Sequence, residues 1–355
     1  MGETATEETL RVVAAMSGGV DSAAAAALLL REGHRVTGAT LLLREGDGAP
    51  AAAGMAGKLG IEHMVIDARQ RFADTVVRPF CDGYLGGETP NPCVVCNALI
   101  KSHILLEHAR RIGAEAVATG HYARLERDGE RARLLRGLDA GKDQSYFLHR
   151  IAPRDLARMV FPLGRMMKRE TRAVARELDL EAAEKPASQE ACFIPEEGYA
   201  PLVEKLGTRR PVRGSVVFRG EKLFDHEGIH LFTVGQRCGS PRGRGLRLFV
   251  RSIDPATGTV EAARREDVFF PGMDIRDVVW HRSPPGGAFE AAVKIRYRHE
   301  AAPAVVTPLD GNRAAVRFRE PQFAVTPGQA AVFYDGDAVV GGGWIDRATT
   351  SGRGN

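Results

Sequence analysis

Two kinds of residue in this sequence are placed to do chemistry. The first is the run Ala15-Met16-Ser17-Gly18-Gly19-Val20-Asp21-Ser22. An apolar stretch, Leu10 to Met16, leads into it and reads as a buried strand. An Ala/Leu stretch, Ala23 to Leu30, leaves it and reads as a helix of strong helix formers. The two glycines leave room for a ligand to approach the backbone. The unpaired N–H groups and positive dipole end of the new helix face that turn, and Ser17 and Ser22 add hydroxyls. The chemistry on offer is the binding of a phosphate. The second kind of residue is thiol. Cys93 and Cys96 form a CxxC in Thr89 to Asn97, where Pro90 and Pro92 impose an extended, irregular backbone. Asn97 is expected to cap the following helix, which carries Ile100, Ile104, Leu105 and Ile112 on one side and stops at Gly113. Cys96 would then lie at a helix N-terminus, where a thiolate is favoured. Alone, a CxxC reads as half a metal site, a redox pair or two incidental cysteines. Cys192 sits among Ser188, Gln189 and Glu190. A cysteine in such a polar stretch is expected to be exposed and reactive, unlike one buried in an apolar element.

The elements that must position these residues alternate. Val36 to Leu43, Ile61 to Asp67 and Ala116 to Thr119 read as further buried strands with helical patterns between them. The fold class is therefore α/β, with a parallel sheet covered on both faces. Ligands of such sheets sit at the carboxyl ends of the strands, so the Ser17 loop and Gly120-His121 should open onto one crevice. His121 reads equally as a ligand contact or a structural hydrogen-bond donor. Gly137 to Phe147 is a polar loop entering an apolar segment, and Lys168 to Leu178 is a basic, capped-looking helix. Lys205, Arg209, Arg210 and Arg213 cluster around Pro211 and mark a linker.

Beyond it, Gly214 to Arg219, Leu231 to Val234, Arg247 to Ile253 and Thr259 to Ala262 suggest a small, mostly-β domain. Gly235-Gln236-Arg237 and the loop from Ser240 to Arg247 are basic and glycine-rich, which reads equally as a contact for a phosphate backbone or as a solvated surface loop. From Phe289 to Tyr297, apolar and basic residues alternate, which puts the ring of Tyr297 on the apolar face. Ala302 to Leu309, Arg313 to Phe318, Gln329 to Tyr334 and Ala338 to Ile345 complete a set suited to a small closed barrel. The expected domains are 10–206, 207–276 and 277–347, with a disordered tail from Thr349.

Composition narrows the class. A chain of 355 residues suggests two or three domains, and 44% hydrophobic with 26% charged residues is ordinary for a globular protein. No apolar segment is long enough to span a bilayer. Met1 to Thr9 is acidic and polar, unlike a signal peptide. Five scattered cysteines do not make a disulfide framework and point to a reducing, cytoplasmic setting. The net charge of +4 does not by itself prove a nucleic-acid partner, although Arg and Lys thin out near the N-terminus and concentrate beyond it. The Walker phosphate loop is excluded, because Gly141-Lys142 is followed by Asp143. Gly243-Arg244-Gly245 fails as a dinucleotide fingerprint, because Leu248 stands where the third glycine belongs.

The SGGxDS run instead resembles the pyrophosphate loop of ATP pyrophosphatases. From Val12 to about Ile345 the chain resembles the tRNA-specific 2-thiouridylases, through MSGGVDS, TPNPCVVCN, ATGHYARL, GKDQSYFL, SQEACFIP, FTVGQR and TPGQAAVFY. The resemblance implies adenylation of the C2 oxygen of a wobble uridine in tRNA, then its replacement by sulfur. It implies that Ala15 to Ser22 hold the triphosphate, with Leu41 and Gly120 on the adenosine side and Mg2+ screening the phosphates. Cys192 would carry sulfur as a persulfide supplied by a donor protein, and Cys96 would be the second nucleophile. Asn91, Pro92 and Cys93 match the segment that meets the target base. His121, Lys142, Asp143, Gln144, Arg296, Tyr297 and Gln329 match tRNA contacts. The resemblance also implies a monomer when free.

Two departures stand out. Many members of that family have Asp where Cys93 stands, so Cys93, Cys96 and Cys192 form an alternative ligand set for a [4Fe–4S] cluster or zinc. The segment from Arg44 to Lys58 is short and rich in Ala and Gly where members often carry a longer acidic insert, and it reads as a mobile connection. Ala187 replaces a commonly acidic residue.

Overall fold

The computed structural model describes residues 9–128, 131–179, 191–239, 247–284 and 286–350. The acidic N-terminal residues 1–8, the segment 185–190 with Ala187, the basic loop 240–246 and the tail beyond 350 lie outside the described residues. The chain divides into two compact units. One comprises Met1–Phe72 and Cys96–Ser188, the other Ala73–Val95 and Gln189–Asn355.

In the first unit the expected strands form. β1 (Arg11–Ala15), β2 (Arg35–Leu42), β3 (His63–Asp67) and β4 (Ala116–Ala118) join Met159–Val160 in a parallel sheet. The strand order is β3-β2-β1-β4-(159–160). Val12, Val13 and Ala14 of β1 are buried, as a central strand covered on both faces requires. The chain moves from β1 to β2 and β3 on one side and returns to β4 on the other. β1 and β4 therefore border a switch point, where a crevice opens at the carboxyl ends of the strands.

Between β1 and β2 lies α1 (Val20–Arg31), and between β2 and β3 lies α2 (Ala49–Leu59). The residues from Ala23 to Ala27 are all buried, small side chains that let α1 lie close to its neighbours. The segment expected to be mobile is thus largely α2. Its entry is tied by Asp47, whose carboxylate accepts the N–H groups of Leu43 and Arg44 at 2.8 and 2.9 Å.

The second unit holds the helix Arg78–Leu85, the helix Ala200–Leu206 and two β structures. A five-stranded sheet runs in the order Arg237–Cys238, Leu248–Asp254, Thr259–Ala263, Gly214–Phe218, Glu221–His226. The run Leu231 to Val234 is not one of its strands. It follows a 3-10 turn, Ile229–Leu231, and is cut short by Gly235 at φ +87°. Six strands then close a barrel: Phe269–Trp280, Arg313–Phe323, Ala302–Leu309, Phe289–Lys294, Ala330–Asp335 and Ala338–Thr349, with the last paired back to the first. The strand Phe269–Trp280 runs across residue 276. One buried apolar cluster, from Val216 and Val260 through Val293, Phe333 and Ile345, serves both β structures.

Trp280 and Trp344, the two tryptophans of the chain, both lie on barrel strands. Their fluorescence therefore reports on the barrel. Phe333 is fully buried, with its ring centroid 5.8 Å from that of Trp280. Phe333→Ala should lower the stability of the barrel by about 3–5 kcal/mol. The urea midpoint of the tryptophan signal measures this, and an unchanged midpoint would contradict the packing.

Candidate active site

α1 begins without a side-chain cap, and its first helical bond runs from the Ala23 N–H to the Gly19 carbonyl at 3.2 Å. The amides just before it are the unsatisfied donors of a helix start, aimed at the turn after β1. Gly18 adopts φ +76°, and a Cβ there would stand 3.0 Å from both the Gly48 oxygen and the Ala51 Cβ. Gly48 in turn lies against the turn, since a Cβ on it would meet the Ser17 oxygen at 2.8 Å. A Cβ on Gly120 would stand 2.8 Å from the Asp21 carbonyl carbon and 3.0 Å from the Ser22 nitrogen. The end of β4 thus reaches the start of α1 only because residue 120 has no side chain. The structure brings together the turn Met16 to Ser22, the entry to α2 and Gly120.

The serines are used differently. The Ser22 hydroxyl donates to the Gly19 carbonyl at 2.8 Å and accepts the Ser17 N–H at 3.2 Å, so it braces the turn. Ser17 is exposed, and its hydroxyl lies 3.3 Å from that of Ser22. Met16 is buried, and its carbonyl accepts the Thr40 hydroxyl at 2.7 Å. Ala15 and Leu41 are partly exposed at the carboxyl ends of β1 and β2.

Sequence reasoning missed the partners of Asp21. Its Oδ1 accepts the Tyr122 hydroxyl at 3.0 Å and pairs with Lys168 Nζ at 2.5 Å. Tyr122 also lies 3.0 Å from the Thr171 hydroxyl, and burial pushes its phenol well above the usual range. The available signal was the basic helix beginning at Lys168, but sequence distance hid its target.

His121 follows β4, and its Nδ1 lies 2.7 Å from the Thr119 hydroxyl. Burial, with a smaller contribution from the charge of Lys101, pushes its pKa down to about 3. Of the trio at 142–144, Lys142 is exposed. Asp143 is buried and accepts the N–H groups of Gly137 and Ser145, each at 3.0 Å. Gln144 Oε1 accepts the Tyr122 N–H at 2.9 Å. Asp143 and Gln144 therefore shape the loop.

The CxxC differs from expectation. Helical residues begin at Pro92–Val95 and continue through Cys96–Ser102 to His103–Arg111. Asn91, rather than Asn97, supplies the cap, with its Oδ1 3.4 Å from the Val94 N–H. Pro92 occupies the first helical position, where its missing N–H costs nothing. Cys96 is therefore past the first turn and buried, and the helix-end reason for a lowered thiol pKa does not hold for it. Asn97 is also buried, with no hydrogen-bond partner for its Oδ1 among the described residues.

In the second unit the loop before the CxxC is anchored on the barrel. The Glu88 carboxylate pairs with the Arg276 guanidinium at 2.9 and 3.0 Å. Gln329 Nε2 donates to the Thr89 carbonyl at 2.9 Å, and the Thr89 N–H donates to the Pro327 carbonyl at 2.8 Å. Cys192 is exposed, as expected. Its neighbour Phe193 packs edge-on against Phe80 with centroids 5.2 Å apart, and Tyr199 stacks on Tyr84 at 4.2 Å. Cys81 and Cys238 are buried, with burial pushing each thiol up to about 11, so neither offers a thiolate near neutrality. Cys93 is partly exposed. It and Cys192 belong to the second unit, Cys96 to the first. Among the described residues no group of three or more His, Cys, Asp or Glu is placed to hold a metal.

On the barrel, Arg296 Nη1 lies 3.3 Å from the Phe323 carbonyl and 3.4 Å from that of Ala324, so it braces that turn. The strand expected to reach Tyr297 ends at Lys294. Tyr297 falls in the turn beyond, partly exposed, with Lys294 Nζ 5.4 Å from its ring centroid. Its ring is not in the barrel core, because the two-residue period stops with the strand.

Two outcomes test this geometry. Gly120→Ala should cost about 1–3 kcal/mol through the clash with α1. Chemical denaturation followed by far-UV circular dichroism measures it, and wild-type stability would contradict the close approach. His121 should remain neutral on acidification to near pH 4 in a ring-nitrogen NMR titration. Between its ordinary value of 6.5 and about 3, the unfolded chain takes a proton that the folded chain refuses, so stability falls as pH falls through that window. Protonation near pH 6.5 would contradict the desolvation of the ring.

Three family models match the chain in succession. They are a tRNA methyl transferase HUP domain over residues 10–196, a tRNA methyl transferase PRC-barrel domain over 206–264 and an aminomethyltransferase beta-barrel domain over 271–345. The tRNA-specific 2-thiouridylase MnmA of Geobacter metallireducens is 45% identical, over 96% of this chain and 98% of its own length. That of Geotalea uraniireducens is 43% identical over 96% of each chain. That of Syntrophotalea carbinolica is 45% identical over 96% of this chain and 99% of its own. With a nucleotide-type crevice at the sheet switch point, a CxxC-bearing loop seated on a β-barrel and likeness of this depth from end to end, the chain belongs to the tRNA-specific 2-thiouridylase family.

Proposed function

We propose that this protein uses ATP to replace the C2 oxygen of a wobble uridine in tRNA with sulfur. The carrying observation is the turn after β1, an uncapped helix start walled by Gly18, Gly48 and Gly120, which suits a triphosphate. A methyl transferase has no need of such a cradle. The C2 oxygen attacks the α-phosphorus, pyrophosphate leaves, and an inert oxygen becomes the good leaving group AMP. Asp21 fits Mg2+, since its Oδ1 takes both described partners and a single carboxylate beside substrate phosphates is a usual magnesium environment. Bound there, Mg2+ would screen the phosphate charge.

Sulfur then arrives on Cys192 as a persulfide made by a donor protein. Its terminal sulfur attacks C2 and AMP leaves. The Cys96 thiolate next attacks Cys192 Sγ, forming a Cys96–Cys192 disulfide and releasing the 2-thiouridine. An external dithiol reductant restores both thiols. The exposure of Cys192 and the burial-raised thiols of Cys81 and Cys238 support this assignment. A variant route has Cys96 attack the persulfide first and release hydrosulfide, which then attacks C2.

The target base, flipped from the anticodon stack, is met by Asn91, Pro92 and Cys93. His121, Lys142, Arg296 and Tyr297 meet the tRNA, while Asp143, Gln144 and Gln329 hold the contact loops in shape. We assign 10–206 to catalysis and 207–276 and 277–347 to tRNA engagement, in a cytoplasmic monomer. The alternative is a [4Fe–4S] cluster with Cys93, Cys96 and Cys192 as ligands, although among the described residues no group of three or more His, Cys, Asp or Glu is placed to hold a metal.

Incubation with tRNA, ATP, Mg2+ and a persulfide donor, followed by mass analysis of the nucleosides, tests the proposal. The expected product is 2-thiouridine with pyrophosphate released. Pyrophosphate without sulfur transfer would favour another nucleotide-activating synthetase, and neither product would sink the enzyme reading. Cys192→Ser should abolish thiolation and spare pyrophosphate release; unchanged thiolation would remove Cys192 from the mechanism. Iron and acid-labile sulfide in anaerobically purified protein, both lost in Cys93→Ala, would replace the persulfide route.

A further inference from the structure

We infer that Lys168 is the cation that receives the β- and γ-phosphates of the nucleotide, and that Asp21 holds it at the cradle beforehand. The assignment deepens the ATP reading above and rests on it. Lys168 opens the helix Lys168–Glu177, remote in sequence from the turn. Its own backbone is fixed from two sides. Its N–H donates to Asp139 Oδ2 at 3.0 Å, and Glu170 caps the helix by accepting the Met167 N–H at 2.8 Å. Only the side chain is left to move.

That side chain is 23% exposed, with its Nζ on Asp21 Oδ1 in the first turn of α1. It crosses the face of Tyr122, 5.8 Å from the ring centroid, so its stem is guided by an aromatic wall. Most other ion pairs of the chain join side chains far more open to water, such as Arg213 with Glu227 or Lys58 with Asp179. An ammonium in this position is held on the first turn of the helix whose start would cradle the phosphates.

The anchor has a second partner ready. When Lys168 turns to phosphate oxygens, Asp21 keeps the Tyr122 hydroxyl and gains a carboxylate oxygen for Mg2+. The exchange matches the reaction. Negative charge builds on the departing pyrophosphate in the transition state, and a cation held there stabilises it more than it stabilises bound ATP. Lys168 so placed acts on kcat as well as on binding. No bond to Lys168 forms or breaks, and its proton stays in place.

The test uses the full chain and three probes: magnesium ATP, magnesium pyrophosphate and adenosine. In thermal melts of the wild type, all three should raise the midpoint. Lys168→Gln should lose the response to pyrophosphate and keep that to adenosine, with pyrophosphate release slowed about 100-fold in kcat. Lys168→Arg should recover part of both. A pyrophosphate response in Lys168→Gln equal to wild type overturns the assignment. A wild type that responds to none of the probes overturns the nucleotide reading itself. Should the Gln variant not fold, amine labelling of the unaltered protein read by mass spectrometry decides. Protection of Lys168 by magnesium pyrophosphate but not adenosine is expected, and equal labelling with and without pyrophosphate overturns the assignment.

Discussion

The first unit depends on a helix whose start is left uncapped at the centre of a parallel sheet. Ordinarily a Ser, Thr, Asp or Asn side chain satisfies the first amides of a helix. Here Gly19 occupies the cap position, and the nearby serine hydroxyl of Ser22 turns back to the Gly19 carbonyl. The amides stay available, at a cost in local stability that a bound anion would offset. Gly18, Gly48 and Gly120 follow from that constraint, because three backbone segments must close around one turn without a Cβ between them.

The second unit applies a different logic to the thiols. Cys192 is exposed, yet flanking aromatic contacts, Phe193 on Phe80 and Tyr199 on Tyr84, tie its segment to the helix Arg78–Leu85. The loop leading to Cys93 is tied to the barrel by Glu88 with Arg276 and by Thr89 with Gln329 and Pro327. A barrel residue such as Gln329 can thus matter to a reaction by setting the backbone of a loop. Arg296, just past the strand that ends at Lys294, likewise spends its guanidinium on bracing the turn at 323–324.

The pairing of Asp21 with Lys168 joins the two chemical demands on the cradle. An acidic residue at a helix start is favoured by the dipole, but alone it would repel phosphate. A lysine held on it cancels that charge, so an approaching anion meets the positive end of the helix dipole. The buried Tyr122 hydroxyl and Thr171 keep the carboxylate oriented, so the pair does not depend on two flexible side chains finding each other in water.

By itself the sequence determined what periodicity and local chemistry can encode. The four expected strands of the first sheet, the helix from the glycine turn, the barrel strands and the exposure of Cys192 follow from side-chain pattern and near neighbours. The expected cap at Asn97 and core position of Tyr297 failed at element ends, where one residue's hydrogen bond decides: Asn91 with Pro92 starts the helix earlier, and the strand stops at Lys294. The order and purpose of the α2 connection were hidden because its glycines make sense only against the Ser17 turn. Lys168 on Asp21, Gly120 on α1 and Gln329 on Thr89 belong to tertiary structure alone. Each joins residues far apart in the chain, and no local propensity carries the identity of a distant partner.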